Sequence, residues 1–118
     1  MTDLIACLST GKGTWAHVSR LIEEQDWNNI FLITNEFGKE NFQPKKQVEY
    51  ILINSNRYLS ELIEDIKSQL KEKLNPLDVA VNLISGSGKE HMAIISALLK
   101  LGVGIRLITL TPRGIKEI

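Results

Sequence analysis

The chain has 118 residues, 43% of them hydrophobic and 24% charged, and its 14 Lys and Arg balance 14 Asp and Glu to a formal net charge of +0. This length and composition fit one ordinary globular domain over residues 1–118, large enough to bury a core without staples. Neutrality excludes a broad coat for extended nucleic acid, so any anion site has to be local.

The one cysteine, Cys7, excludes an intrachain disulfide and a cysteine-based zinc site. Its place in an apolar run reads as core packing. No run is long enough to span a bilayer, and the N-terminus lacks a basic-then-apolar signal. A cytoplasmic protein with no membrane partner is expected.

In chain order, Leu4 to Leu8 is an apolar run of strand length, the pattern of a strand covered on both faces. Ser9-Thr10-Gly11-Lys12-Gly13 is a small-residue turn with a cation. Residues 14–25 follow as a helix, with Trp15, Val18, Leu21 and Ile22 on one face. Ile30 to Thr34 is a second buried strand. The polar segment Asn35 to Lys46 is barely long enough for a parallel crossover and has room for one helical turn. Its Phe37 and Phe42 either pack on the core edge or cover a ligand. Gln47 to Asn54 reads as a third strand. Leu59, Leu62, Ile63, Ile66, Leu70 and Leu74 mark an amphipathic helix stopped by Pro76.

The stretch from Asp78 to Gly102 organises the rest. Val79 to Ile84 is a strand, Ser85 to Lys89 a glycine turn ending in a cation, and Glu90 to Leu101 a helix stopped by Gly102. Ile105 to Leu110 is the last strand, closed by Pro112. The expected fold is therefore α/β and Rossmann-like, a mostly parallel five-stranded sheet with helices on both faces. The last helix carries two apolar stripes, Ile94, Ala97, Leu98, Leu101 and Met92, Ile95, Leu99. A helix apolar nearly all round is covered on more than one side. A homodimer with this helix at the interface is expected, the C-terminal tail being the other available cover.

Strand, glycine turn with lysine, helix thus occurs twice. A helix start offers free N–H groups and the positive end of a dipole, both suited to phosphate. With the two strands adjacent at the centre of the sheet, Ser9, Thr10, Gly11, Lys12 and Gly13 face Ser85, Gly86, Ser87, Gly88 and Lys89 across one crevice. His91, in the first turn of its helix, either faces the ligand or caps. The plainer readings are a tight turn with a helix cap at Ser85 to Gly88 and a solvated Lys12. Neither His17 nor His91 has a further ligand at metal spacing, so no metal and no cofactor are expected. A P-loop would need Gly at position 83 and Ser or Thr at 90, where the chain has Leu83 and Glu90. Gly11, Gly13 and Ala16, with Glu36 about 20 residues on, fit a dinucleotide fingerprint. That leaves a cofactor-binding oxidoreductase as one alternative and a non-catalytic interaction domain as another.

The run Asn82-Leu83-Ile84-Ser85-Gly86-Ser87-Gly88-Lys89, with a helix of small and aliphatic residues behind it, resembles the signature of the CRISPR-associated Rossmann fold (CARF) family. Ser9-Thr10-Gly11 sits where that family has its other ligand loop. The likeness covers most of the chain in element order but only these two loops in residues. Ser-Gly-Ser-Gly-Lys replaces the family's Thr-Gly-Gly-Thr-Lys-like turn, and a domain without the nuclease or winged-helix effector that usually follows is expected. The resemblance implies an antiviral-defence protein, a stand-alone homodimer that binds a cyclic oligoadenylate on its two-fold axis. Some members also cleave the ring without a metal, as ring nucleases. By matching positions, Ser9 or Thr10 would orient the ribose phosphate and Lys89 would neutralise developing charge, so Ser9 and Lys89 are the implied catalytic pair.

Overall fold

The computed structural model describes residues 2–8 and 11–118. Along the chain, β1 (Asp3–Cys7) leads through a 3₁₀ turn (Lys12–Thr14) into α1 (Trp15–Glu24), then β2 (Ile30–Thr34), α2 (Glu36–Asn41) and β3 (Glu49–Leu52). There follow α3 (Leu59–Leu70), β4 (Asp78–Asn82), α4 (Gly88–Leu101), β5 (Gly104–Thr111) and β6 (Gly114–Glu117). The strands form one sheet in the order β3-β2-β1-β4-β5-β6. All neighbours are parallel except β5 and β6. The topology is Rossmann-like, with the order reversing between β1 and β4.

The sheet has six strands rather than the expected five. Pro112 does not close the sheet; it turns it. Pro112 and Arg113 form a two-residue turn in which the fixed φ of proline suits the first corner position. Thr111 Oγ1 accepts from the Arg113 N–H at 3.2 Å and donates to the Gly114 carbonyl at 2.8 Å. The added edge strand is tied at its far end by Arg106, which lies 3.5 Å from Glu117 and 3.7 Å from Asp78.

Two apolar layers cover the sheet. Ile5, Cys7, Ile33, Ile51, Val79 and Val81 face α3 and α4, meeting Leu62, Ile66, Ala93, Ile94, Ala97 and Leu98. Leu4, Ala6, Leu8, Leu32 and Ala80 face α1, meeting Trp15, Val18, Leu21 and Ile22. The alternation within β1 shows why its sequence is apolar at every position: both faces are covered. At the opposite edge from the carboxyl ends, buried Asp3 accepts from Asn28 Nδ2, Asn29 Nδ2 and the Asn75 N–H at 2.9–3.1 Å. Three bonds to one carboxylate fasten the loops before β2 and β4 to the start of β1.

The segment after β2 holds α2, a helix of less than two turns capped by Asn35, whose Oδ1 accepts from the Gly38 N–H at 3.0 Å. α2 lies so close to β2 that a Cβ on Gly38 would stand 1.9 Å from Thr34 Oγ1. Thr34 Oγ1 in turn donates to the Leu8 carbonyl at 2.9 Å, joining the carboxyl ends of β1 and β2. This contact sets Glu36 and Phe37 at the carboxyl edge of the sheet. Gly38→Ala should cost about 2 kcal/mol in denaturant unfolding, through overpacking and loss of the Thr34 bond. Adding Thr34→Ala should recover part of that loss, a non-additivity that a double-mutant cycle measures directly.

Candidate functional site

Adjacency of β1 and β4, with Ala6 opposite Asn82, brings the two glycine turns to the same edge of the sheet. Ser9 and Thr10 lie outside the described residues. The turn after β4 is seated on the end of β1. Gly86 has φ +104, and a Cβ there would come 2.5 Å from Cys7 Sγ and 3.1 Å from both Glu90 Oε1 and His91 Nε2. Only glycine fits both the backbone and the space. Among the described residues a Cβ on Gly13 or Gly88 meets nothing within 4 Å, so packing does not demand glycine at those two positions.

The start of α4 is a capping box. Ser87 Oγ accepts from the Glu90 N–H at 3.2 Å, and Glu90 Oε1 accepts from the Ser87 N–H at 2.7 Å. Glu90 Oε2 also accepts from Ser55 Oγ at 2.7 Å, and Lys89 Nζ donates to the Ser55 carbonyl at 2.9 Å. The loop after β3 is thereby latched to the start of α4. Lys89 is turned toward that loop instead of over its own turn. The box uses the Ser87 and Glu90 N–H groups; those of Gly88 and Lys89 lie between them. His91 caps: its Nε2 donates to the Ser85 carbonyl at 2.7 Å, which holds the turn closed over Cys7.

Lys12 is exposed but not simply solvated. Its Nζ stands 5.7 Å from the Trp15 ring centroid and 5.8 Å from that of Phe37, a cation–π arrangement. The two aromatics of the α2 segment differ in burial. Phe42 is buried and meets Trp15 edge-on at 5.6 Å. Phe37 is 42% exposed. A cavity of about 780 Å³ opens beside it, bounded by the loops after β2, β3 and β4. Its walls include Glu36, Phe37, Asn54, Ser55, Ser87 and Glu90. Neither Lys12 nor Lys89 lines it, but each meets a residue that does, Lys12 the Phe37 ring and Lys89 the Ser55 carbonyl.

Sequence reasoning passed over Asn54, Ser55 and Asn56. Their signal is a polar run directly after a strand, which a parallel sheet places at the ligand edge. Glu90 counted only as a mismatch to a P-loop, although Ser87 and Glu90 have capping-box spacing. His17, on α1, accepts from Asn82 Nδ2 at 3.4 Å, while Asn82 Nδ2 also donates to the Ile108 carbonyl at 3.0 Å. Burial, and then the nearby Arg20, hold the His17 pKa below its usual value. No group of three or more His, Cys, Asp and Glu placed to share one metal ion occurs among the described residues. No protein-family model matches the chain, and no curated protein matches its sequence.

Cys7, under Gly86, is pushed up to about 12 by burial and then by the Glu90 carboxylate. Its thiol therefore stays protonated in the folded protein, and unfolding exposes a thiol of pKa about 8.5. The folded state then binds more protons than the unfolded one above that value, so stability should fall as pH rises from about 8.5 toward 12. Cys7→Ala should remove this component of the alkaline slope. At pH 8, labelling of Cys7 by a disulfide reagent should track structural opening and stay far slower than for the unfolded chain.

Proposed function

We propose that this chain is a homodimeric nucleotide-binding protein whose ligand is a cyclic oligoadenylate, received at the carboxyl edge of the sheet. The observation that carries the reading is the cavity at that edge, two of whose lining residues, Phe37 and Ser55, are in contact with the lysines of the two glycine turns. Phosphate needs cations and unshared N–H groups and no metal. The likeness of the Ser85 to Lys89 turn to the CARF signature names the ligand class. The same likeness supports metal-free ring opening, in which a ribose 2′-hydroxyl is held in line with its own phosphate and the pocket supplies alignment and charge. In that reaction Ser9 would position the phosphate. Lys89 would release Ser55 to meet the developing charge.

Dimerisation is part of the reading. Ala93, Ile94, Ala97 and Leu98 face the core, while Met92 is 60% and Leu99 66% exposed on the opposite side of α4. The C-terminal residues do not cover them. Ile84, beside the turn after β4, is exposed as well. Two copies joined through these residues would bury three apolar side chains apiece. Glu36 at the cavity wall supports a second reading, a dinucleotide cofactor held by its ribose.

The decisive experiment is thermal unfolding with cyclic oligoadenylates. A ligand at 100 times its Kd should add about 2.7 kcal/mol. Lys89→Ala should weaken binding more than Lys12→Ala. Turnover should persist in EDTA and give linear products ending in 2′,3′-cyclic phosphate. Strict dependence on a divalent ion, or 3′-hydroxyl products, would overturn the mechanism, and binding with no products would leave a sensor. NADH binding tighter than any oligonucleotide, lost in Glu36→Ala, would favour the cofactor reading. Met92→Glu or Leu99→Glu should yield a folded monomer by sedimentation at micromolar concentration; a monomeric parent protein would refute the dimer.

A further inference from the structure

Among the described residues, four of the eight exposed large apolar side chains share one side of the sheet: Met92 and Leu99 on α4, and Leu107 and Ile118 on the β5–β6 hairpin. The alternation of β5 fixes the side. Ile108 and Leu110 face the α1 layer, so Leu107 faces the other way, as does Ile105, which packs against the layer of α3 and α4. On β6, Ile115 faces the α1 layer opposite Leu110, so Ile118 shares the face of Leu107. The Ile118 N–H donates to the Leu107 carbonyl at 2.8 Å, which sets the two side by side. α1 packs on β5 and β6 from the opposite face. On the α4 side the described residues leave Leu107 39% and Ile118 76% exposed. This side of the molecule is therefore a step. α4 stands on the sheet as a ridge about 10 Å high, and the β5–β6 hairpin forms an apolar ledge beside it. Lys116, opposite Thr109 on the same face, is exposed toward the carboxyl end of the ledge.

We infer that the β5–β6 ledge is the docking surface for α4 of a second copy of this chain. The inference rests on the homodimer read above and deepens it by naming the opposing surface and the direction of the axis. Area argues for it. A stable interface takes about 800 Å² and roughly 20 to 30 residues from each partner. Met92, Leu99 and Ile84 supply only a small part of that, and the ledge supplies more apolar surface on the same side. Shape agrees, because a step is its own complement. Turned about a two-fold axis that runs along α4, a second copy sets its ridge on the first copy's ledge and receives the first copy's ridge on its own, an isologous contact. The heights match as well. Met92 lies about 14 Å along α4 from its last residue and Leu107 about 10 Å along β5 from its first, both measured from the amino edge of the sheet. An axis along α4 leaves both α4 helices pointing the same way, so the carboxyl edges of the two sheets open at one end of the dimer, where a single ring reaches both. An axis across the helices would set ridge on ridge and turn the two edges to opposite ends.

The test is sedimentation velocity at micromolar concentration on the wild-type chain, Met92→Glu, Leu107→Lys, Ile118→Lys and an equimolar mixture of Met92→Glu with Leu107→Lys. Circular dichroism serves as the folding control, and Ile118→Lys, at the more exposed position, stands in for Leu107→Lys in the mixture if that variant does not fold. The expected result is a dimer for the wild type and loss of the dimer in each single variant. In the mixture one ridge-on-ledge contact is intact, and the other sets the introduced carboxylate against the introduced ammonium, so a dimer of one copy of each should return. Ridge-on-ridge packing gives no such rescue. If the ledge variants associate as tightly as the wild type, or if the mixture stays monomeric, docking of α4 on the ledge is overturned while the dimer stands. If the wild-type chain is monomeric, both fall. No ligand enters these measurements, so the oligoadenylate reading is judged apart from them.

Discussion

The carboxyl edge of this sheet depends on one close approach, the Gly86 backbone against the Cys7 side chain. The turn after β4 can reach over the end of β1 only because position 86 lacks a Cβ and tolerates a positive φ. Once seated, the turn is fixed from both sides. His91 reaches back from α4 to the Ser85 carbonyl, and Glu90 closes the cap on Ser87. The small thiol beneath is part of the same fit. A larger side chain at position 7 would lift the turn, and with it the start of α4, the Ser55 latch and one wall of the cavity.

That latch changes the electrostatics that a bare helix start would have. An open helix N-terminus attracts phosphate through its dipole and free N–H groups. Here Glu90 puts a carboxylate at the start of α4 and hands part of its hydrogen-bonding to Ser55. Attraction for an anion then falls to the side-chain cations, and both are held by partners of modest strength, a carbonyl for Lys89 and two aromatic faces for Lys12. Such partners fix the cations near the cavity without neutralising them. An ion pair at either lysine would have removed charge that the proposed nucleotide ligand calls for.

How far the sequence disclosed this varies with the physics of each part. Buried parallel strands announce themselves as apolar runs, so β1, β2 and β4 were legible to within a residue or two, while the adjacency of β1 and β4, only a condition in the sequence, is shown by the sheet order. β6 was hidden because Pro112 signals both a strand's end and the first corner of a tight turn, and only the pairing of the four residues behind it decides between them. In the site, the small residues of the two turns were visible, whereas the capping-box spacing of Ser87 and Glu90 was present but not read as one. What no spacing reveals is direction. Lys89 sits in the expected turn but points to Ser55, 34 residues away in sequence. Ser55 joins the site only through tertiary packing of the loop after β3.

The two unshared features of α4 lie on different sides of it. Its first turn lines the cavity through Glu90. Its outward face, with Met92 and Leu99, is apolar surface that the chain leaves uncovered. Folding alone does not require that arrangement, since the core is closed by Ala93, Ile94, Ala97 and Leu98 and polar residues at 92 and 99 would serve as well. The repeating ligand proposed above would give it a reason. A ligand bound by one copy would gain only its own contacts, whereas a ring held by two copies would convert its second attachment into an intramolecular step. The geometry of that gain is set by how two α4 helices meet. The outward stripe would then act on affinity through distance and angle alone, without touching the ligand.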